Sequence, residues 1–470
     1  MAIHTVPSAT RPSAFWLAAL LVDGCTAYQP KPVDMAAVAS ARATRTLDTA
    51  AISAQLAVLA PEARWDGKDW DRLTLFAAVM TSNPDIAAAR AAITSAEGAR
   101  RAAGARPGST LTLAGEYAGK APEASPWLFG GALDIPIDSG GRRASRLTVA
   151  DLGIVAARYD YAGAIWTVRM ALRRALTDRL LATRRLAVSD ALVAFRQRQF
   201  AVVNRRVGAG SASRADLERV RVDAADASWR QSDATAAIIA ADAELAAALG
   251  VPARDVAGLA LRWDGFDTPA AQPVAEVAQR QAALVGRADV LKALTLYDQT
   301  DANLRGEIAR QYPAISIGPG YTWERGLVKI PFNMALILPP LDGNRGAIAA
   351  AEAKRAEAGA TIEALVAGAS NAIDQAFAES RQARVQLAQV RSGELPAAQR
   401  LAVQADRELA AGATDRSEWA AAQAGAGLAR LSELDALAAV HAADSRLETA
   451  LRRPVEGPEL ALRQGLEVVN

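Results

Sequence analysis

Few residues in this chain are of a type that does covalent chemistry, and they lie far apart. Cys25 is the only cysteine, and His4 and His441 are the only histidines, among 470 residues. A single cysteine rules out an intramolecular disulfide. Its setting suggests another task. Arg11 precedes an apolar run from Ala14 to Val22, and Val22-Asp23-Gly24-Cys25 follows. A basic residue, a short apolar stretch and then small residues form the pattern of a secretory signal, here residues 1–24. The last four residues resemble a bacterial lipoprotein box, which would make Cys25 the lipid attachment point. Cleavage two residues later, after Ala27, is the alternative. His441 stands on an alanine-rich helical stretch, where an exposed place or a helix seam is expected. There is no Ser/His/Asp set, no phosphate loop and no Cys/His ligand cluster, so neither an enzyme nor a metal or cofactor site is expected. The acids Asp415 and Glu418 follow a glycine-bearing break, with Arg416 between them, and Arg214 follows a similar break. Acids there suit a helix N-terminus through its dipole.

The elements that position these residues occur twice. Asp138 and Asp342 stand 204 residues apart, each ending an alternating apolar run and opening an Ala/Arg-rich helical stretch. Asn83-Pro84-Asp85-Ile86 is echoed by Arg287-Ala288-Asp289-Val290 at the same spacing, and Gly210 with Arg214 by Gly412 with Arg416 at 202. A fixed internal period is an architectural signal. The domain plan is a signal (1–24), an N-terminal wrapping segment (25–69), repeat 1 (70–250), a connector (251–273), repeat 2 (274–453) and an irregular tail (454–470).

Composition favours helix–helix seams over a thick core: 51% of residues are apolar but only 5% aromatic, and alanine dominates. The net charge of +2 is spread along the helices without a basic, aromatic-rich block, so no nucleic-acid partner is expected. Arg173-Arg174 and Arg184-Arg185 read as solvated helix faces. No window outside the signal reaches 18 uncharged apolar residues, so a membrane would be crossed by strands.

Each repeat offers two strands. In the first, Ser109–Ala118 puts Leu111, Leu113 and Tyr117 on one face; Trp127–Ile137 alternates Trp127, Phe129, Leu133 and Ile135 with Gly130, Ala132 and Asp134. In the second, Ala314–Trp323 aligns Ile315, Ile317, Tyr321 and Trp323, and Leu327–Leu338 aligns Ile330, Phe332, Met334 and Leu336 opposite Lys329 and Asn333. About ten residues is the length of a tilted strand crossing a bilayer. A half-buried hairpin in a soluble protein would alternate too, but Trp127, Tyr321 and Trp323 fall at strand ends, where membrane interfaces favour them.

The helices are long. One stretch from about Gly141 to Arg206 would extend on the order of 100 Å. It turns at residues 207–213 and returns from Arg214 to Leu249; the second copy runs from about Gly346 to Ala410 and returns from Asp415 to Arg452. Four membrane strands cannot close alone, since single-chain bacterial barrels begin at eight, and an open edge is not tolerated in lipid. Three copies supply twelve strands and twelve helical limbs. The fold expected is therefore mainly α with a membrane β-barrel part. Internally duplicated helical hairpins would form an α-barrel continuous with a trimeric 12-stranded β-barrel, four strands per chain.

At this point the chain resembles the TolC-like outer-membrane efflux protein family over about Leu73 to Arg452. The resemblance lies in Asn83-Pro84-Asp85-Ile86, Pro136-Ile137-Asp138-Ser139-Gly140-Gly141-Arg142-Arg143, Gly318-Pro319-Gly320-Tyr321, Pro340-Leu341-Asp342-Gly343-Asn344-Arg345-Gly346 and the two glycine tips. It implies a homotrimer in the outer membrane reaching into the periplasm, docked to a periplasmic adaptor and an inner-membrane pump of the RND type. The function implied is a passive exit duct for small toxic compounds, drugs or metal cations. Thr26, following Cys25, suits outer-membrane sorting. Docking maps to Val207, Gly208, Ala209, Gly210 and Ser211 and to Ala411, Gly412, Ala413 and Thr414, although those glycines also serve as helix caps. The periplasmic gate maps to Asp415 and Glu418, with Arg416 and Arg214 as partners. The exit channel of type I protein secretion shares this architecture, and a soluble coiled-coil scaffold shares the hairpins alone.

Overall fold

The computed structural model describes residues 28–119, 125–271 and 276–462. The signal segment and Cys25 lie outside them. Helix α1 (Met35–Thr44) belongs to an N-terminal unit that ends at Arg45. The second unit begins with α2 (Thr49–Leu59). Low periodicity hid both helices, yet their N-caps are legible: Asp34 and Asp48 each accept from two backbone N–H groups of the first turn.

Both repeats follow one plan. Repeat 1 has β1 (Asp69–Trp70), α3 (Arg72–Ser82), α4 (Pro84–Gly104), β2 (Thr110–Tyr117), β3 (Trp127–Ile137), α5 (Arg142–Gly208) and α6 (Arg214–Leu249). After the connector, with β4 (Ala260–Leu261) paired parallel to β1, come α7 (Glu276–Gly286), α8 (Ala288–Ala309), β5 (Ala314–Glu324), β6 (Leu327–Lys329), β7 (Phe332–Ile337), α9 (Arg345–Gln389), α10 (Leu395–Ala410) and α11 (Arg416–Leu451). Asn83 caps α4 and its Nδ2 donates to the Ala248 carbonyl at the end of α6. Arg287 does the equivalent in repeat 2, its Nη1 donating to the Ala450 carbonyl. Gly250, at φ +73°, lets the end of α6 meet α3: an added Cβ would lie 2.5 Å from the Ser82 carbonyl oxygen.

The long helices lie side by side, with α3 packed on α5 and α6 and α7 packed on α8, α9 and α11. Around residues 149–161, α5 pairs with α4 through Arg100–Asp151 and with α8 through Lys292–Asp160 and Gln299 to the Val149 carbonyl. Further along it lies between α6, through Arg179–Asp242, and α11, through Arg185–Asp435. Helix α9 joins α8 through Arg355–Asp301 and α11 through Arg384–Asp444. The edges expose Val222, Trp229 and Ile239 on α6 and Val385, Leu401 and Val403 on α9 and α10.

Two elements depart from expectation for the same reason, a missing proline N–H. The second long helix is not continuous: Val390–Glu394 forms a π turn just before Pro396, which cannot donate within the ladder. The fourth strand breaks at Ile330-Pro331 into β6 and β7, although the register against β5 continues unchanged from Trp323–Val328 to Pro319–Phe332.

Arg173 corrects the reading of its pair as a solvated face. Arg174 is exposed, but Arg173 is buried with Arg72, Arg169, Glu448 and Glu459, and partly buried Glu456 joins them. Arg169 Nη1 reaches Glu448 Oε2 at 2.8 Å and Arg173 Nη1 reaches Glu448 Oε1 at 3.2 Å. Arg173 Nη2 donates to Glu456 at 2.8 Å, and Arg72 pairs with Glu459. The Trp263 ring lies between the Arg72 and Arg173 guanidinia, 4.4 and 5.1 Å away. Three cations and three anions balance, which is what a buried cluster needs. Arg184 is half-buried, pairing with Asp267 and covering the Phe266 ring. The tail, expected to be irregular, supplies two network members and a 3₁₀ turn over Pro458–Leu462. A helical periodicity cannot announce partners 280 residues away.

His441 is buried at the seam of α11 and the connector, stacked on Phe266, with Nε2 2.9 Å from the Phe266 carbonyl. Nε2 must donate there, which leaves Nδ1 without a partner and the ring neutral. Burial, with Arg173 adding to it, pushes the His441 pKa below 6.5 against the pull of that carbonyl. For Glu448, burial raises the pKa, but Arg173 and Arg169 outweigh it and hold the carboxyl below 4.5. Both depressed values mean stability present at neutral pH and lost on acidification. Denaturant titrations should show a first loss as the pH falls below 6.5, absent in His441→Gln, and a second below pH 4.5. Glu448→Gln leaves two buried guanidinia short of charge and should cost about 3–5 kcal/mol at pH 7.

Candidate functional site

Two parts of the molecule are candidate contact surfaces: the sheet and the hairpin tips. The sheet order is β2-β3-β5, continued by β6 and β7. Directly paired residues share a face, so register decides what each face contains. Leu113 faces Gly131, Tyr117 faces Trp127, Phe129 faces Trp323, Gly131 faces Tyr321, Ile135 faces Ile317, and Ile317 faces Met334. Leu111, Leu133, Phe332 and Leu336 fall on the same side. The opposite side carries Thr110, Thr112, Glu116, Asp134, Ser316, Thr322, Lys329 and Asn333. Four separate alternations thus combine into one apolar and one polar face. Tyr117, Trp127, Phe129 and Trp323 pack successively at the end away from the helices, with ring centres 4.8, 5.5 and 6.4 Å apart. Leu113, Phe332 and Met334 are about two-thirds or more exposed, and among the described residues β2 and β7 leave both sheet edges unpaired.

The junctions between strands and helices explain the Gly-Gly-Arg-Arg stretch. Gly140 and Gly141 take φ of +70° and +82°, turning the chain from β3 into α5. The arginines that follow cap carbonyls left open at helix ends. Arg143 donates to the Gly104 carbonyl and Arg146 to the Ala103 carbonyl of α4; Arg142 donates to the Tyr312 carbonyl after α8. In repeat 2, Asn344 at φ +60° donates to the Glu307 carbonyl.

The tips share one backbone. Ser211 N donates to the Arg206 carbonyl and Gly210 N to Val207; Ala413 N donates to Glu408 and Gly412 N to Leu409. This is the six-to-one closure that a left-handed glycine permits, and Gly210 and Gly412 stand at φ +72° and +71°. Gly208, Ala209, Gly210, Ser211, Ala411, Gly412 and Ala413 are exposed, Val207 and Thr414 partly so, and nothing lies within 4 Å of an added Cβ at any of the three glycines.

Their restarts differ. Ser213 forms a capping box with Asp216 at the start of α6. Asp415 caps α11, accepting from Ser417 N at 2.7 Å and Glu418 N at 2.9 Å, and its other oxygen accepts from Arg206 at 2.6 Å. Glu418 accepts from the Thr414 hydroxyl at 2.6 Å. The structure thus brings Asp415 to Arg206, on the opposite hairpin. Arg214 and Arg416 form no ion pair among the described residues. Arg416 instead lines a cavity of about 420 Å³ with Arg198, Arg205, Leu409 and Trp419. Trp419 donates to Asp406 at 2.7 Å and meets Phe195 edge-on. Sequence spacing pointed to cations near Asp415 along the chain; Arg206 is near it only because the two tips lie side by side.

A family model for outer membrane efflux proteins matches residues 76–251. The cobalt-zinc-cadmium resistance protein CzcC of Cupriavidus metallidurans is 29% identical over 281 residues, covering 58% of this chain and 65% of that protein. In sequence the chain is similar to outer-membrane efflux proteins. The match thus spans under two-thirds of the length of that relative. Among solved structures, the outer membrane protein VceC of Vibrio cholerae aligns with a TM-score of 0.66 at 17% identity, covering 82% of this chain and 97% of that one. The outer-membrane channel OprN aligns at 0.67 and 16%, covering 91% and 98%. At such identities the likeness establishes the fold, a duplicated helical-hairpin body continued by a strand end.

The double role of Asp415 can be separated. Asp415→Ala should cost about 1 kcal/mol through the lost cap. Asp415→Asn keeps the cap and loses only a half-exposed ion pair, for a smaller loss. Thermal unfolding of both variants measures the split.

Proposed function

We propose that this protein is the outer-membrane exit duct of a tripartite efflux system, assembled as a homotrimer with a 12-stranded β-barrel and a periplasmic α-barrel. The single apolar face with two unpaired sheet edges supports this most directly. Backbone groups at a strand edge cannot be left open in lipid, so the sheet needs neighbours, and its apolar side suits hydrocarbon. The wall of long helices has the same incompleteness, with apolar residues exposed at its edges.

In this assembly the tips, residues 207–211 and 411–414, dock a periplasmic adaptor that links the duct to an inner-membrane pump of the RND type. Exposed glycine and alanine let the adaptor's helices approach the backbone, and the arginine-lined cavity beside Trp419 suits acidic groups. The Arg206–Asp415 pair ties the two hairpins of one protomer and holds the gate narrow; Glu418, Arg416 and Arg214 contribute charge around it. Cys25 carries a lipid anchor to the outer membrane. The relative named for cobalt, zinc and cadmium resistance favours divalent metal cations as cargo.

Deleting the chain in its host should lower the tolerated concentration of cobalt, zinc or cadmium severalfold; unchanged tolerance of all three would remove metal cations as cargo. Within the sheet, Met334→Lys should cost about 2–4 kcal/mol by placing charge on the lipid side. It should abolish heat-resistant trimers in outer-membrane fractions, whereas Asn333→Lys on the polar side should leave them intact.

A further inference from the structure

A cavity apart from the sheet and the hairpin tips lies between α5, α7, α8 and the end of α11. It encloses about 390 Å³ and is lined by Ile165, Trp166, Arg169, Lys292, Leu451 and Arg452, among others. That volume is within the range of small-molecule sites. Donors on its lining are left over. Trp166 Nε1, Arg169 Nε and Nη2, and Arg452 Nε are all buried without a hydrogen-bond partner among the described residues. Trp166 and Arg169 are themselves 7% and 2% exposed, and the guanidinium carbon of Arg169 stands 5.0 Å from the indole centre. Buried donors are normally paired, and a concentration of unpaired ones around a cavity calls for an acceptor inside it.

The charges narrow the kind of acceptor. Lys292 is matched by Asp160 at 2.7 Å, and Asp289 takes two bonds from Arg287, at 2.9 and 2.6 Å. Arg453, also on the lining, is engaged within the chain. Arg169 belongs to the balanced six-residue network. Arg452 reaches Asp289 only at 3.8 Å, so its charge meets the cavity incompletely matched. Its backbone is also costly: Arg452 holds φ +52°, where the first repeat uses Gly250. The remaining lining is largely apolar, with Ile165, Leu451 and Pro454 beside the indole. We propose that this cavity binds a small organic monocarboxylate with an apolar body. The carboxylate accepts from Trp166, Arg169 and Arg452, and the body packs on the apolar wall.

Equilibrium dialysis of the full chain in uncharged detergent tests this with benzoate, benzyl alcohol and acetate as probes. Benzoate should bind saturably and at least about tenfold more tightly than either of the others. Trp166→Phe keeps the ring and removes the N–H; Arg452→Gln keeps length and removes the charge. Each should weaken benzoate about tenfold without lowering the melting temperature. Absence of saturable benzoate binding to the parent chain would overturn the proposal without recourse to any variant. Equal affinity for benzyl alcohol would remove the carboxylate from it, and equal affinity for acetate would remove the apolar body. Benzoate affinity unchanged in both variants would place any binding elsewhere.

Discussion

The two repeats are held together where six charges meet, five of them buried and Glu456 partly so. Arg72 comes from the first helix of repeat 1, Arg169 and Arg173 from its longest helix, Glu448 from the last helix of repeat 2, and Glu456 and Glu459 from the tail. Burying ions is expensive, and the expense is tolerable only when every charge is matched with good geometry. That condition makes the cluster demanding. The N-terminal part, both long hairpins, the connector's Trp263 and the C-terminal tail must all be in place before any one of them is satisfied. A body of thin alanine seams, with no thick core to set its arrangement, gains from such a requirement a single way of joining its parts.

Alanine sets the other property of the body. Small side chains bring the long helices close, so away from the short helices α3 and α7 each long helix packs mainly on those beside it. Such a wall is stiff along its length but incomplete at its sides. The sheet follows the same logic, one layer with open edges. In both, what is missing inside the chain is an equivalent neighbour, which the proposed trimer would supply by symmetry.

The hairpin tips show how a duplicated unit diverges without changing its backbone. Both turns close through the same hydrogen bonds and the same left-handed glycine. The difference lies in one residue at the restart. Ser213 serves only its own helix, whereas Asp415 divides its two oxygens between its helix and Arg206 on the other hairpin. A neutral cap has become a charged one, and charge acts across a gap that a hydroxyl cannot span.

What the sequence determined by itself was everything local or periodic. Alternation located the four strand stretches of the larger sheet and their apolar faces, though not β1 and β4, and Asn83-Pro84, Gly210 and Gly412 punctuated the helices because proline and left-handed glycine act within a few residues. The 204-residue echo revealed the duplication. Only the tertiary structure decided which charges are buried. Arg173 and Arg174 look alike in sequence, and one lies in the ion network while the other lies in solvent. It alone seated His441 on Phe266, turned the tail from an appendage into two network members, and gave Asp415 its partner Arg206. Those outcomes depend on contacts between residues hundreds of positions apart. Such contacts are fixed by how the helices stack, and no pattern along the chain encodes them.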